Sequence, residues 1–278
     1  MTQYSEAVRT AQAYYNSDDA ENFYSRLWGG EDIHIGLYES DSEAVVDASH
    51  RTVEHMCDLL GPALDGATVL DIGGGYGGSA RYIAQHHNAD VVSLNLSEVQ
   101  NERARRKNAE RGLDQRVSIV DGDFENIPFD EGHFDIVWSQ DAMLHSGNRE
   151  RVLDEVARVL KAGGTFIFTD PMQADDCPDG VLQPVLDRIQ LETMGSPDFY
   201  TQALQQRGFT RREFEDHTGQ IPRHYGGIHD TLVEREAELR DSAISNAYIT
   251  NMKKGLQHWV DAGKAGHLAW GILVFDKN

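Results

Sequence analysis

Residues 69–84, VLDIGGGYGGSARYIA, constrain the fold more than any other stretch of this chain. A short apolar run that ends on an acid and opens into Gly73, Gly74, Gly75 and Gly77 describes a strand turning sharply into a helix. Glycines there allow positive φ and close approach of a ligand, because no Cβ stands in the way. Gly78 and Ser79 then begin a helical pattern whose apolar face includes Ala80, Ile83 and Ala84. At the end of a parallel strand, such a turn is a place for a nucleotide; a merely structural tight turn is the alternative.

What surrounds the turn narrows the ligand. The glycine string lacks the Lys and hydroxyl ending of a phosphate-binding P-loop. A nicotinamide reader needs an acid about 20 residues downstream for the ribose, whereas the next apolar run, residues 90–94, ends in Asn95. Asp71, placed before the glycines, instead gives an E/D-x-G-x-G pattern that resembles class I S-adenosylmethionine (SAM) methyltransferases. After the third apolar run, Asp123 and Phe124 suit an adenine, the acid accepting from its amino group and the ring packing on its face. The alternative there is a turn Asp beside a core Phe. The candidate SAM contacts are Asp71, Gly73, Gly74, Gly75, Asn95, Leu96, Gln100, Asp123, Phe124 and Gln140. Asn95 departs from the acid common at that position, but an amide both donates and accepts, so binding is expected to survive.

From Ala67 onward, short apolar runs alternate with helical patterns, as in a parallel sheet covered on both faces. Strands are predicted at 69–72, 90–94, 117–120, 134–138 and 164–169, with helices at 79–86, 97–111 and 149–160. Ser97 precedes an acidic first turn and a basic second half, the charge order that suits a helix dipole. Residues 211–215 and 267–275 are expected to close the sheet as an antiparallel pair. Three parts fall outside this alternation: residues 1–46, an insertion at about 171–195, and a polar helical stretch at 217–266. Ligands in open α/β sheets bind beyond the strand C-termini, so added pieces there act as covers. The expected organisation is therefore an N-terminal helical lid, 1–46, on a Rossmann-like domain, 47–278, with a mixed seven-stranded sheet and two helical insertions.

Charge bounds the partners. With 25 Lys and Arg against 46 Asp and Glu, the net charge is -21, which repels phosphate backbones and anionic lipid surfaces. Nucleic acid and membrane are not expected partners. The acids are dispersed, as on a hydrated surface, and a salt-rich cytoplasm would screen their repulsion. Neither a signal-peptide core nor an apolar run of the ~20 residues that cross a bilayer is present, so a cytoplasmic protein is expected. Cys57 reads as a buried helix residue and Cys177 as a loop thiol, with no metal-ligand spacing between them.

Two segments carry candidate chemistry. The fourth strand delivers WSQDAMLHS, in which Asp141 and His145 share a face if the segment is helical. A His of near-neutral pKa can take or relay a proton from an amine; packing or capping roles are the alternatives. At the front, residues 11–38 gather Tyr14, Tyr15, Phe23, Tyr24, Trp28, His34 and Tyr38. They form either a lid's own core or a cage around a cationic ammonium, each ring contributing about 0.5 to 2 kcal/mol.

The head YYNSDDAENFYSRLWGGEDIHIGLY, LDIGGGYGGSARY, SLNLSEVQNERA, VWSQDAMLHS, TDPM at 169–172, LDRI at 186–189 and the tail NMKKGLQHWVDAGKAGHLAWG together resemble sarcosine/dimethylglycine N-methyltransferases of glycine betaine synthesis. The resemblance spans nearly the whole chain. It implies SAM as methyl donor without a metal, sarcosine and N,N-dimethylglycine as acceptors, and betaine as a compatible solute. More distantly the chain is similar to phosphoethanolamine methyltransferases and cyclopropane fatty acid synthases. By likeness to the phosphobase enzymes, Tyr15 pairs with His145 over the reacting amine, with Asp141 beside them. Substrate contacts are expected from Tyr24, Trp28, His34, Met172, Arg188, His224 and Tyr225, with Arg188 taking the carboxylate. A small-amine enzyme working as a monomer or weak homo-oligomer is favoured over a lipid methyl or cyclopropane transferase, which would want basic membrane-facing residues, and over a non-catalytic SAM-binding domain.

Overall fold

The computed structural model describes residues 6–28, 30–240 and 244–278. Strands β1 (Thr68–Ile72), β2 (Asp90–Asn95), β3 (Val117–Asp121), β4 (Phe134–Gln140) and β5 (Leu160–Thr169) are parallel, and a two-residue β6 (Met172–Gln173) follows. After β7 (Phe209–Asp216) come β8 (Leu268–Ala269) and β9 (Gly271–Lys277). The seven-stranded sheet runs β3-β2-β1-β4-β5-β9-β7, with β9 antiparallel to both neighbours. Strand order reverses between β1 and β4, and the crevice beyond their C-termini is where such a sheet binds ligands.

Helices α4 (Gly78–His86), α5 (Glu98–Glu110) and α6 (Arg149–Val159) form where they are expected, and α3 (Val45–Leu60) precedes the sheet. Ser97 caps α5 by accepting from the Gln100 amide at 3.3 Å. Alternate residues of each strand enter two cores. Val69, Ile136, Trp138 and Ile167 pack with α3 and α4, while Leu70, Phe166 and Phe168 pack with α6 and α8 (Pro197–Gln206).

The head comprises α1 (Glu6–Tyr15), α2 (Asp18–Phe23), a π-helical turn (Tyr24–Trp28) and an extended strap leading into α3. The insertions supply α7 (Gln183–Ile189) and then α9 (Gln220–Glu234), α10 (Glu236–Arg240) and α11 (Asn246–Lys264). The first core continues without a break from the sheet into these parts, through Phe23, Tyr24, Trp28, Tyr225, Leu256 and Trp259.

The tail strand expected at 267–275 is broken at Trp270. Its indole NH donates to Asp141 at 2.8 Å and its backbone NH to Thr218 Oγ1 at 3.1 Å. Residues 268–269 are thereby diverted to pair with β6. No helix among the described residues is long and apolar enough to cross a membrane. Both cysteines are free, and burial pushes the Cys57 thiol up to about 12.

Candidate active site

Two cavities meet beyond the C-termini of β1 and β4. The first, of about 1110 Å³, is lined by the head, α7, α9 and α11. The second, of about 80 Å³, lies over the glycine turn. Tyr15, Ile33, Asp141 and His145 line both and make the partition.

The smaller cavity is lined by Gly73, Gly75, Asn95, Leu96, Gln100, Asp123, Phe124 and Gln140, all expected from the sequence, and also by Val8, Gln12 and Ile33 of the head. Two other expected contacts, Asp71 and Gly74, sit behind this surface. A Cβ on Gly74 would lie 1.9 Å from Ser93 Oγ and 2.5 Å from Asp71 Oδ2, so the turn rests on the acid. Burial raises the Asp71 carboxyl to about 7, although it accepts from Ser93 at 3.4 Å. Asp71 thus supports the turn instead of facing the cavity. A Cβ on Gly73 would lie 2.3 Å from that of Ala142, which explains the glycine where β1 and β4 end side by side.

Ile33 packs on Gly75, and Glu31 before it binds Arg81, Lys107 and Arg111 at 2.6 to 2.8 Å. The head is held on the cofactor side by a carboxylate shared among three cations. At the floor, Gln140 Oε1 accepts from Ser79 Oγ at 2.5 Å and Trp138 Nε1 at 3.0 Å, while its buried Nε2 has no partner. A buried donor without an acceptor is costly, so a ligand bearing an acceptor fits here. The Asn95 amide nitrogen donates to Gln100 and Asn101 at 3.1 and 3.0 Å, which fixes the side chain and turns its carbonyl into the remaining binding group.

At the partition, Tyr15 Oη and His145 Nε2 share a hydrogen bond of 2.8 Å. Enclosure pushes His145 down to about 4, with Arg188 and Arg149 acting in the same direction, so the ring is neutral at pH 7. Its 3-10 turn, Met143–His145, is held by Asp170, which accepts from the Leu144 amide at 2.9 Å and from Tyr200 Oη at 2.6 Å. Burial raises Asp170 to about 7. Sequence alone did not single out Asp170 as a support for the histidine.

Asp141 differs from the expectation of a catalytic partner for His145. Its carboxylate accepts from the Ile35 amide at 2.6 Å, Thr169 Oγ1 at 2.8 Å and Trp270 Nε1 at 2.8 Å, and it is hydrogen-bonded to neither His145 nor Tyr15. The segment is not a helix at this point: Asp141 has φ +49°, a left-handed conformation, and its carboxylate meets the strap at Ile35. It latches the strap to the sheet, and burial raises its carboxyl above the ordinary value.

The larger cavity is lined by Tyr14, Tyr15, Tyr24, Trp28, His34, Arg188, Tyr225 and Tyr248, among others. Tyr14 Oη lies 2.9 Å from Tyr248 Oη and 3.3 Å from Tyr24 Oη. Into this ring of hydroxyls projects Arg188, whose Nη2 meets only the Met252 sulfur at 3.6 Å and whose buried Nε has no partner. No carboxylate among the described residues pairs with it. A Cβ on Gly255 would lie 2.1 Å from Arg188 Cδ, so this glycine makes room for the guanidinium.

Met172 and His224, both expected at the substrate, do not line the cavity. Met172 is drawn into the β6–β8 ladder opposite Ala269 and packs in the second core. His224 is fully buried behind Trp28, where the Gly36 amide and Tyr38 Oη both lie against its Nδ1 at 3.3 and 2.8 Å. Burial, reinforced by His34, pushes it down to about 3, so it is neutral and offers no charge to a carboxylate. Tyr248 and Met252 were missed. Their signal is the spacing of Tyr248, Met252, Gly255 and Trp259, one face of a helix.

Residues 70–168 match a family model described as a methyltransferase domain. A sarcosine/dimethylglycine N-methyltransferase of Halorhodospira halochloris is 58% identical over 98% of this chain and 97% of its own length. The chain belongs to the sarcosine/dimethylglycine N-methyltransferase family. The homologue from Aphanothece halophytica is 50% identical over the full length of both chains. Among solved structures, a Galdieria sulphuraria protein described as a sarcosine dimethylglycine methyltransferase superposes with a TM-score of 0.90 at 38% identity, over 95% of this chain and 99% of that one. In this methyltransferase fold, the smaller cavity occupies the crevice where a Rossmann-like sheet takes its cofactor.

Proposed function

We propose that the protein transfers the methyl group of SAM to the nitrogen of sarcosine and of N,N-dimethylglycine, giving N,N-dimethylglycine and glycine betaine. The observation that carries this reading is Arg188, a guanidinium without a carboxylate partner among the described residues, inside a tyrosine-lined cavity that abuts the Tyr15 and His145 pair. A buried cation in that setting asks for an anion, and a guanidinium fork matches a carboxylate. The acceptor carboxylate at Arg188 and its nitrogen toward the partition then orient the molecule along the cavity.

Gly73, Gly75, Asn95, Leu96, Gln100, Asp123, Phe124 and Gln140 would hold the cofactor, with the orphaned Gln140 Nε2 donating to one of its acceptors. Bound there, SAM supplies an electrophilic methyl group on a sulfonium sulfur. The protein's main task is positioning, because holding the nitrogen in line removes most of the entropic barrier. The acceptor amine must also shed its proton to free the lone pair. Neutral His145 accepts it or passes it through Tyr15, and these two are the residues that touch the reacting nitrogen. Asp141 acts as a positioning residue: its charge favours cationic reactants, and its bond to Ile35 keeps the strap closed. Tyr14, Tyr24, Trp28, Tyr225 and Tyr248 surround the developing ammonium with the negative faces of their rings.

Residues 1–46 serve as the lid of a catalytic domain spanning 47–278, with the insertions at about 171–195 and 217–266 completing the acceptor cavity. The protein is expected to work as a monomer or weak homo-oligomer. A net charge of -21 suits a cytoplasm of high ionic strength, where a betaine product serves osmoprotection. Incubating the protein with labelled SAM and glycine, sarcosine, dimethylglycine or phosphoethanolamine tests the reading. Label is expected in the products of sarcosine and dimethylglycine; label only in phosphoethanolamine products would refute it.

A further inference from the structure

We propose that His55, Glu215 and His217, outside both cavities, form a binding site for a borderline divalent transition-metal ion such as zinc. One ligand atom from each residue lies within 4.8 Å of the others. His55 Nε2 is 2.6 Å and His217 Nε2 3.2 Å from the same oxygen, Glu215 Oε2. Two imidazoles from different parts of the chain therefore converge on one carboxylate oxygen. Among the described residues this is the one trio of such side chains gathered so closely.

The ligands come from firm elements. His55 lies within the 16-residue helix α3, and Glu215 stands on β7 opposite Ile272 of β9. His217 follows at once, and its backbone NH donates to the Trp270 carbonyl at 2.9 Å. Gly271 lets these strands approach closely, since a Cβ there would lie 2.1 Å from the Glu215 carbonyl oxygen. A tetrahedral metal with bonds of about 2.0 to 2.2 Å needs donor atoms about 3.4 Å apart. The observed separations, 2.6 and 3.2 Å to the shared oxygen and at most 4.8 Å within the trio, lie on either side of that value.

Donor chemistry sets the class of ion. Two imidazoles and a carboxylate suit zinc and its neighbours, whereas magnesium and calcium prefer oxygen ligands throughout. The side chains are 27 to 36% exposed, so ions can enter and water can complete the coordination shell. A surface of net charge -21 raises the local concentration of cations. Bound metal would join α3 to the β7 edge of the sheet and add stability without touching the reaction site.

The competing account is an ordinary network in which both imidazoles hydrogen-bond to Glu215. Competition between chelator-stripped, full-length protein and a chromophoric zinc indicator separates the two. One zinc per chain is expected, weakened at least about tenfold in His55→Ala, His217→Ala and the volume-conserving His55→Gln. The Cys57→Ser/Cys177→Ser double variant should retain it. Zinc should also raise the Tm of the parent protein and leave that of His55→Gln unchanged. Undiminished binding in the histidine variants, or no binding by the parent protein below about 1 mM zinc, would overturn the proposal. Circular dichroism and SAM binding of each variant show that the fold is intact.

Discussion

Replacing Arg188 by Gln removes the guanidinium proposed to meet the acceptor's carboxylate, while keeping a polar side chain of similar reach. Truncating one partner of a buried, hydrogen-bonded charge pair costs about 2 to 5 kcal/mol. Arg188 keeps some accessible surface and lines the cavity, so solvent screening makes the lower part of the range apply. A loss of about 2 to 4 kcal/mol is a fall of roughly 30- to 700-fold in kcat/KM, at about 1.4 kcal/mol per factor of ten. The carboxylate lies remote from the bond being made and is held alike in ground and transition states, so the loss should sit mainly in KM. Initial rates over a range of dimethylglycine concentrations at saturating SAM read this directly. Affinity for SAM should be unchanged, because Arg188 lines only the larger cavity. Dimethylaminoethanol, which carries the amine but no carboxylate, should be a poor substrate of the parent enzyme and no worse for the variant. A loss below about threefold for dimethylglycine, or an equal loss for dimethylaminoethanol, would refute the assignment.

Gly255→Ala should raise KM for dimethylglycine with little change in SAM binding, since the added methyl collides with Arg188 Cδ; steady-state kinetics and calorimetry check it. His145→Ala should lower kcat about a hundredfold with SAM affinity nearly unchanged, and an equal loss in both would show that the histidine shapes the cofactor pocket instead of serving the proton transfer. Glu31→Ala frees Arg81, Lys107 and Arg111 from the head, so stopped-flow measurement should show faster SAM dissociation and a weaker dependence of that rate on salt. Asp71 has a folded-state pKa of about 7, well above an ordinary carboxyl. The native state then binds more protons than the unfolded chain between about pH 4 and 7. The stabilising contribution of its protonated form is present below that window and drains away as pH rises through 7, at up to about 1.4 kcal/mol per pH unit. Asp71→Asn removes this dependence, so its Tm relative to the parent should improve from pH 5 to pH 8; parallel curves would contradict the raised pKa.

The glycine turn, the parallel strands and most residues that line the smaller cavity were legible because they are local. A strand ending in Asp71, a glycine cluster and an apolar helix face fix a βα turn from adjacent residues, and period-two alternation fixes which side chains enter each core. Tyr15 and His145 were reached through likeness to a family, and the structure brings them within 2.8 Å. Arg188 was already expected to take the carboxylate, but its isolation from acids shows only when α7 and α11 are packed together.

Other assignments reversed for reasons that lie far along the chain. The 141–145 spacing fits a helix face, yet Asp141 turns at positive φ to receive Ile35, Thr169 and Trp270, from three distant segments. The tail breaks as a strand at Trp270 for the same reason, and the resulting β6–β8 ladder takes Met172 out of the cavity. His224 sits near aromatic residues in sequence and in space, but burial strips it of the charge a substrate would need. Sequence by itself determined the sheet and the glycine turn, since local backbone sterics and hydrophobic periodicity suffice for these, and the likeness of its motifs to a known family indicated the chemistry. Tertiary structure decided which polar groups are already satisfied and which are left open for a ligand, because a buried donor or charge takes its meaning from partners that only folding brings within hydrogen-bond reach.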